Sequence, residues 1–157
     1  MKRSEKALHF YAEGYNCAQS VIVSFADILN LTEETALRLA AGFGGGMGRM
    51  QQTCGAITGA FMVIGYLKGN YQQNEESDQS REITNQLIQN FSSRFTQKHG
   101  SINCKKLINF DLNTEIGQKQ AKEADVFNQK CTNFVQTAVE LLEEILDNEL
   151  LQKKVNE

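Results

Sequence analysis

The stretch Phe43-Gly44-Gly45-Gly46-Met47-Gly48-Arg49-Met50-Gln51-Gln52-Thr53-Cys54-Gly55-Ala56-Ile57-Thr58-Gly59 is a glycine-rich loop that runs into a cysteine and then into an apolar helix. That helix, Cys54 to about Lys68, is apolar on nearly all sides, so it reads as a central helix surrounded by the others. Thr53 is a favoured N-cap residue, which would put Cys54 in the first turn. There, free backbone N–H groups and the helix dipole stabilise an anion over a neutral thiol. Thiols so placed fall from about 8.5 to roughly 3.5–7.5, and a nearby Arg49 pushes the same way.

Working outward, proline is absent from all 157 residues and apolar residues recur at helical spacing almost everywhere, which predicts an all-α fold. The expectation is one domain, residues 1–157, built as a helical bundle of about five to seven helices around the central one. A short helix over about Ser4–Glu13 stops at Gly14, and Asn16 caps a second from Cys17 to about Leu29. Thr32, Glu33 and Glu34 open a third, with Ala36, Leu39, Ala40 and Phe43 inward. After a polar link, a long amphipathic helix to about Lys98 carries Ile83, Leu87, Ile88, Phe91 and Phe95 inward. Ser101 and Asn103 cap a turn that starts near Cys104. No clear period marks Asn109 to Ala124, and the last helix runs from about Asp125 to Leu150, with a solvated tail beyond Leu151.

Connectivity gathers the thiols. The second and third helices are joined by the tight link Asn30-Leu31 and must run antiparallel, which returns the chain to the pole where Cys17 sits. Cys54 starts from that pole, and the long helix brings Cys104 back to it. Cys131 is not placed by this argument.

Cys54-Gly55-Ala56-Ile57-Thr58-Gly59, with Asn16-Cys17-Ala18-Gln19-Ser20 and the triple glycine at Gly44 to Gly46, resembles the C_GCAxxG_C_C family of small redox-type proteins, marked by four cysteines and a CGAxxG motif. The matching cysteines here are Cys17, Cys54, Cys104 and Cys131. The resemblance implies redox-active cysteines and no particular reaction.

Composition narrows the alternatives. A net charge of −3, with its 16 basic residues spread along the chain, offers no basic face to nucleic acid. No apolar run is long enough to insert in a membrane, and the N-terminus has no continuous apolar core of a signal peptide. The expected location is cytoplasmic, where structural disulfides are rare and four cysteines serve as buried hydrophobes, metal ligands or working thiols. The glycine loop fits neither phosphate-binding fingerprint. His9 and His99 stand in no ligand spacing, and His99 suits the C-terminal end of its helix.

The leading reading is a thiol–disulfide redox protein, a candidate oxidoreductase, in which Cys54 is the reactive thiolate and Cys17, Cys104 or Cys131 resolves it, Cys17 first. Its partner would be a thiol or disulfide protein or a small molecule, with no cofactor required. Two other readings use the same residues: a non-catalytic zinc or iron–sulfur domain held by the four sulfurs, and a helical interaction module with incidental buried thiols. The lack of a Cys-x-x-Cys pair counts against metal.

Overall fold

In the computed structural model, which describes residues 1–155, the fold is all-α. Its helices are α1 (Arg3–Ala12), α2 (Cys17–Val23), α3 (Glu33–Ala40), α4 (Gly55–Lys68), α5 (Glu75–His99), α6 (Cys104–Ile108), α7 (Glu115–Glu123) and α8 (Thr132–Val155). A short 3-10 turn (Ala41–Phe43) follows α3 and a π-helical turn (Phe127–Cys131) leads into α8. Helix α4 occupies the centre and packs on α2, α5 and α8, while α1 lies across α2 and α8. Ile57, Val63 and Ile64 of α4 are fully buried, each stabilising the fold by about 1.5–3 kcal/mol through apolar area removed from water.

The two glycines of the CGAxxG stretch explain how close α2 and α4 come. A Cβ on Gly59 would sit 2.8 Å from the Ala18 carbonyl oxygen, and one on Gly55 would sit 3.1 Å from the Ala18 nitrogen and 3.2 Å from Cys17 Cβ. Residues four apart share one helix face. These two therefore form the smooth stripe of α4 that lets the start of α2, and with it Cys17, lie against the start of α4.

Several expectations change. The second helix ends at Val23 rather than Leu29 because the chain tightens: Ser24 Oγ donates to the Val21 carbonyl at 2.7 Å. Ser24, Phe25 and Ala26 then bond three residues back instead of four, and Arg3 Nη1 holds the Ser24 carbonyl at 2.6 Å. Leu39 is 55 % exposed because the buried face of α3 centres on Ala36, Leu37 and Ala40. Ile83 lies at the edge of the inward stripe of α5 and is 37 % exposed.

The aperiodic stretch before Asp125 contains α7. This helix buries only the small residues Gly117 and Ala121 and leaves Ile116 exposed, so it carries no large buried side chains to reveal it, although Thr114 caps it by accepting from Gly117 N–H at 3.0 Å. The last helix continues to Val155. The solvation expected of the side chains beyond Leu151 lies outside the described residues. Among the described residues no helix is long and apolar enough to cross a membrane.

Candidate functional site

The glycine loop is wound in an unusual hand. Gly45, Gly46, Met47, Gly48 and Arg49 all have φ between 59° and 70°, and Gln51 follows at 55°. Non-glycine residues pay about 1–3 kcal/mol each for such backbone, and persist there only when the surroundings fix them. Here the fixing is done by backbone bonds from Gly48 to Gly42, Gln51 to Gly45 and Gln52 to Gly46, all 2.8–3.0 Å. The buried Gln51 side chain adds two more, donating from Nε2 to the Phe110 carbonyl at 2.7 Å and accepting the Leu112 N–H at 2.8 Å. Gly46 has no alternative, since at φ 70° a Cβ would lie 2.7 Å from Cys104 Cβ, Gln51 Cα and Gln52 N.

The far end of the loop pairs with the start of α6. Thr53 and Asn103 form an isolated antiparallel bridge, flanked by Cys54 N–H to the Ile102 carbonyl at 2.8 Å and Cys104 N–H to the Gln52 carbonyl at 2.7 Å. Thr53 is thus committed to this bridge and is not the cap of α4. Cys54 itself takes the N-cap position, one residue earlier than expected. Asn103 does cap α6, accepting from Lys106 N–H at 3.0 Å. Asn16 caps α2 with a reciprocal pair, its side chain accepting from Gln19 N–H at 2.9 Å while its own N–H donates to Gln19 Oε1 at 3.0 Å.

These caps deliver Cys17, Cys54 and Cys104 to one place, and the π-helical turn before α8 adds Cys131. All four are free thiols and all four line one cavity of about 330 Å³, with Tyr11, Leu112 and Phe127 among its walls. The cysteines are not equivalent. Burial pushes Cys54 up to about 12, against the downward pull of the Ala56 and Ile57 N–H groups. Burial, with the neighbouring Cys131 charge, pushes Cys104 up to about 11. Helix N–H groups reach Cys54 as expected, but the loss of water works against them and raises its pKa where the helix start was expected to lower it.

Cys131 moves the other way. The neighbouring Cys17 side chain pulls it below the ordinary thiol value, opposed by burial and helped by the Tyr11 side chain and the Lys130 charge. Cys131, with burial, in turn raises Cys17 well above its ordinary value. The Tyr11 hydroxyl donates to the Phe127 carbonyl in the π-helical turn at 3.1 Å. The tyrosine itself is raised by burial and by the surrounding thiols.

Arg49 is exposed and lines a separate cavity of about 610 Å³ rather than the one that the four thiols share. Tyr11, Gln51 and Phe127 escaped the sequence reading. Tyr11 looked like one more apolar-face residue of α1, and nothing marks Gln51 as buried beyond its position in the loop. Among the described residues no three His, Cys, Asp or Glu side chains gather closely enough to hold a metal ion as they stand.

Comparison with known proteins gives the following. The family described as "Putative redox-active protein (C_GCAxxG_C_C)" matches residues 15–145. A protein of Archaeoglobus fulgidus that bears only the name "Uncharacterized protein" is 27% identical over 150 residues, covering 89% of this chain and 90% of that one. No solved structure matches the chain.

Proposed function

The chain belongs to the redox-active C_GCAxxG_C_C family, and from that premise we propose that it carries out thiol–disulfide exchange with Cys131 as attacking thiolate and Cys17 as resolving thiol. The observation that supports the reading is one cavity lined by all four free thiols, in which Cys17 and Cys131 shift each other's pKa in opposite directions. A thiolate is the nucleophile in such exchange, and a thiol with a pKa nearest the ambient pH attacks best.

The chemistry balances as follows. Cys131 Sγ⁻ attacks one sulfur of a substrate disulfide RSSR, forming a Cys131–SR bond and expelling RS⁻. Cys17 passes its proton to the first RS⁻, giving RSH, and its sulfur attacks Cys131 Sγ, breaking the Cys131–SR bond and expelling the second RS⁻. The substrate gains two electrons, the protein keeps the Cys17–Cys131 disulfide, and a thiol reductant reverses the sequence. The reading requires no cofactor and fits the cytoplasm, where free thiols persist. Cys54 and Cys104 remain protonated and supply a second pair on the same cavity.

The test is oxidation of the reduced protein with one equivalent of a disulfide, followed by peptide mapping and by metal analysis of the untreated sample. The expected first product is the Cys17–Cys131 bond with no stoichiometric metal. A first product that excludes Cys131 overturns the assignment. About one zinc or iron bound per chain, lost on replacing Cys17 and Cys54, would replace the exchange reading with a metal site.

A further inference from the structure

Building on the exchange reading, we propose that the groove beside the thiol cavity is a recognition subsite for the anionic part of a small disulfide. The groove, about 610 Å³, shares two walls with the thiol cavity, Leu112 and Phe127. Leu112 is a fixed wall. Its N–H is held by Gln51 Oε1 at 2.8 Å and its carbonyl by Gln118 Nε2 at 2.8 Å, and its side chain is buried. Phe127, 38 % exposed, is carried on the π-helical turn that also holds Cys131 and lines both cavities. A ligand in the groove therefore lies one shared aromatic wall from the thiol cavity.

The charges of the groove select the ligand. Arg49, Lys119 and Lys122 face Glu115 and Glu123 across it. Lys119 is engaged with Glu123 at 3.9 Å, whereas Arg49 and Lys122 have no carboxylate within 4.0 Å among the described residues. Glu115 alone opposes those two cations, which leaves the groove positive in a chain whose net charge is −3. Arg49 projects from the left-handed loop, at φ 60°, on the same rigid segment whose Gln51 fixes Leu112. The strained backbone thereby sets a cation at the groove and a wall at the thiols in one piece. A disulfide with a carboxylate a few bonds from sulfur can place that carboxylate on Arg49 and Lys122 while its S–S bond passes Phe127 to Cys131. The first RS⁻ released leaves along the same positive path.

The experiment follows oxidation of the full reduced chain by three disulfides of similar size: dithiodipropionate, a dianion; hydroxyethyl disulfide, neutral; and cystamine, a dication. The expected order of rates is dianion, neutral, dication, with the spread narrowing at high salt. Arg49→Gln and Lys122→Gln should each lower the dianion-to-neutral rate ratio by about threefold, the size typical of one exposed charge pair. Arg81→Gln, whose side chain on α5 pairs with Asp78, should leave the ratio at its original value. Each variant's helical circular dichroism confirms folding, and because Arg49 and Lys122 are tested separately, misfolding of one leaves the other to decide. Charge-independent rates with all three disulfides, or ratios unmoved in both variants, overturn the subsite while the exchange reading stands. Failure of every disulfide to oxidise the protein overturns the exchange reading and the subsite together.

Discussion

The two sides of the thiol cavity are built on opposite plans. On one side Cys54 and Cys104 are locked by backbone bonds across the Thr53–Asn103 bridge, buried, and pushed up to about 12 and about 11. On the other, Cys17 is half-buried and Cys131 rides a π-helical turn under a tyrosine hydroxyl, where its pKa is lowered. A helix N-terminus is therefore not enough to make a reactive thiol. Both Cys54 and Cys17 sit at helix starts and both are raised, whereas Cys131 is lowered by the Cys17 and Tyr11 side chains and an adjacent lysine. At this site burial outweighs the helix start, and neighbouring side chains set the direction for Cys131.

The comparison breaks most visibly at Cys131. With thiol pKa values near 11 and 12, Cys104 and Cys54 hold thiolate fractions at pH 7 of only about one in 10⁴ to 10⁵, which greater nucleophilicity per thiolate offsets only in part. Cys131→Ser should therefore slow oxidation by a small disulfide at pH 7 by about a hundredfold or more, read as the initial loss of free thiols. Cys54→Ser should change that rate far less. Equal losses would erase the distinction between the two sides.

The rigid side breaks at its backbone. Gly46→Ala places a Cβ against Cys104 and Gln51 at a positive φ. It should cost about 1–3 kcal/mol from the backbone conformation alone, with more from the contact, measured as a shift in the urea midpoint. An unchanged midpoint would mean that the loop is not wound as described.

The Cys17–Cys131 side is sharpened by Tyr11→Phe, which removes the hydroxyl that helps to lower Cys131 and that donates to the Phe127 carbonyl. The Cys131 pKa should rise, by about one unit if the hydroxyl is worth about 1.5 kcal/mol to the thiolate. Oxidation should slow about tenfold near neutral pH and recover at alkaline pH, a profile that a purely structural defect would not give.

Much of this architecture is legible in the sequence because helical periodicity and caps are local signals. Asn16, Thr32 and Asn103 each cap the helix expected of them. The chain does return to the start of α2, where Asn16 Nδ2 donates to the Ala41 carbonyl, although the connection between α2 and α3 spans residues 24–32 rather than the two-residue Asn30-Leu31 link expected. What stayed hidden depends on partners distant in sequence. Thr53 has the chemistry of an N-cap, but Asn103 claims its backbone as a bridge. Arg49 is close to Cys54 along the chain, but the left-handed loop carries it into another groove. The acidity of Cys131 is set by Cys17 and Tyr11, 114 and 120 positions away, and no window along the chain contains them together. Helix α7 was hidden for a simpler reason, since the residues it buries, Gly117 and Ala121, are small and its one large apolar side chain, Ile116, is exposed.

The most direct test is site-resolved alkylation of the fully reduced protein as a function of pH, with each cysteine followed by peptide mass. The account predicts that Cys131 is modified fastest at and below pH 8, with an apparent pKa below that of an ordinary thiol. Cys104 and Cys54 should gain thiolate reactivity only as the pH approaches about 11 and about 12. If instead Cys54 reacts first near neutral pH, with Cys131 silent, the helix start rather than the Cys17 and Tyr11 side chains makes the nucleophile, and the division of the cavity into a neutral side and a charged side is wrong.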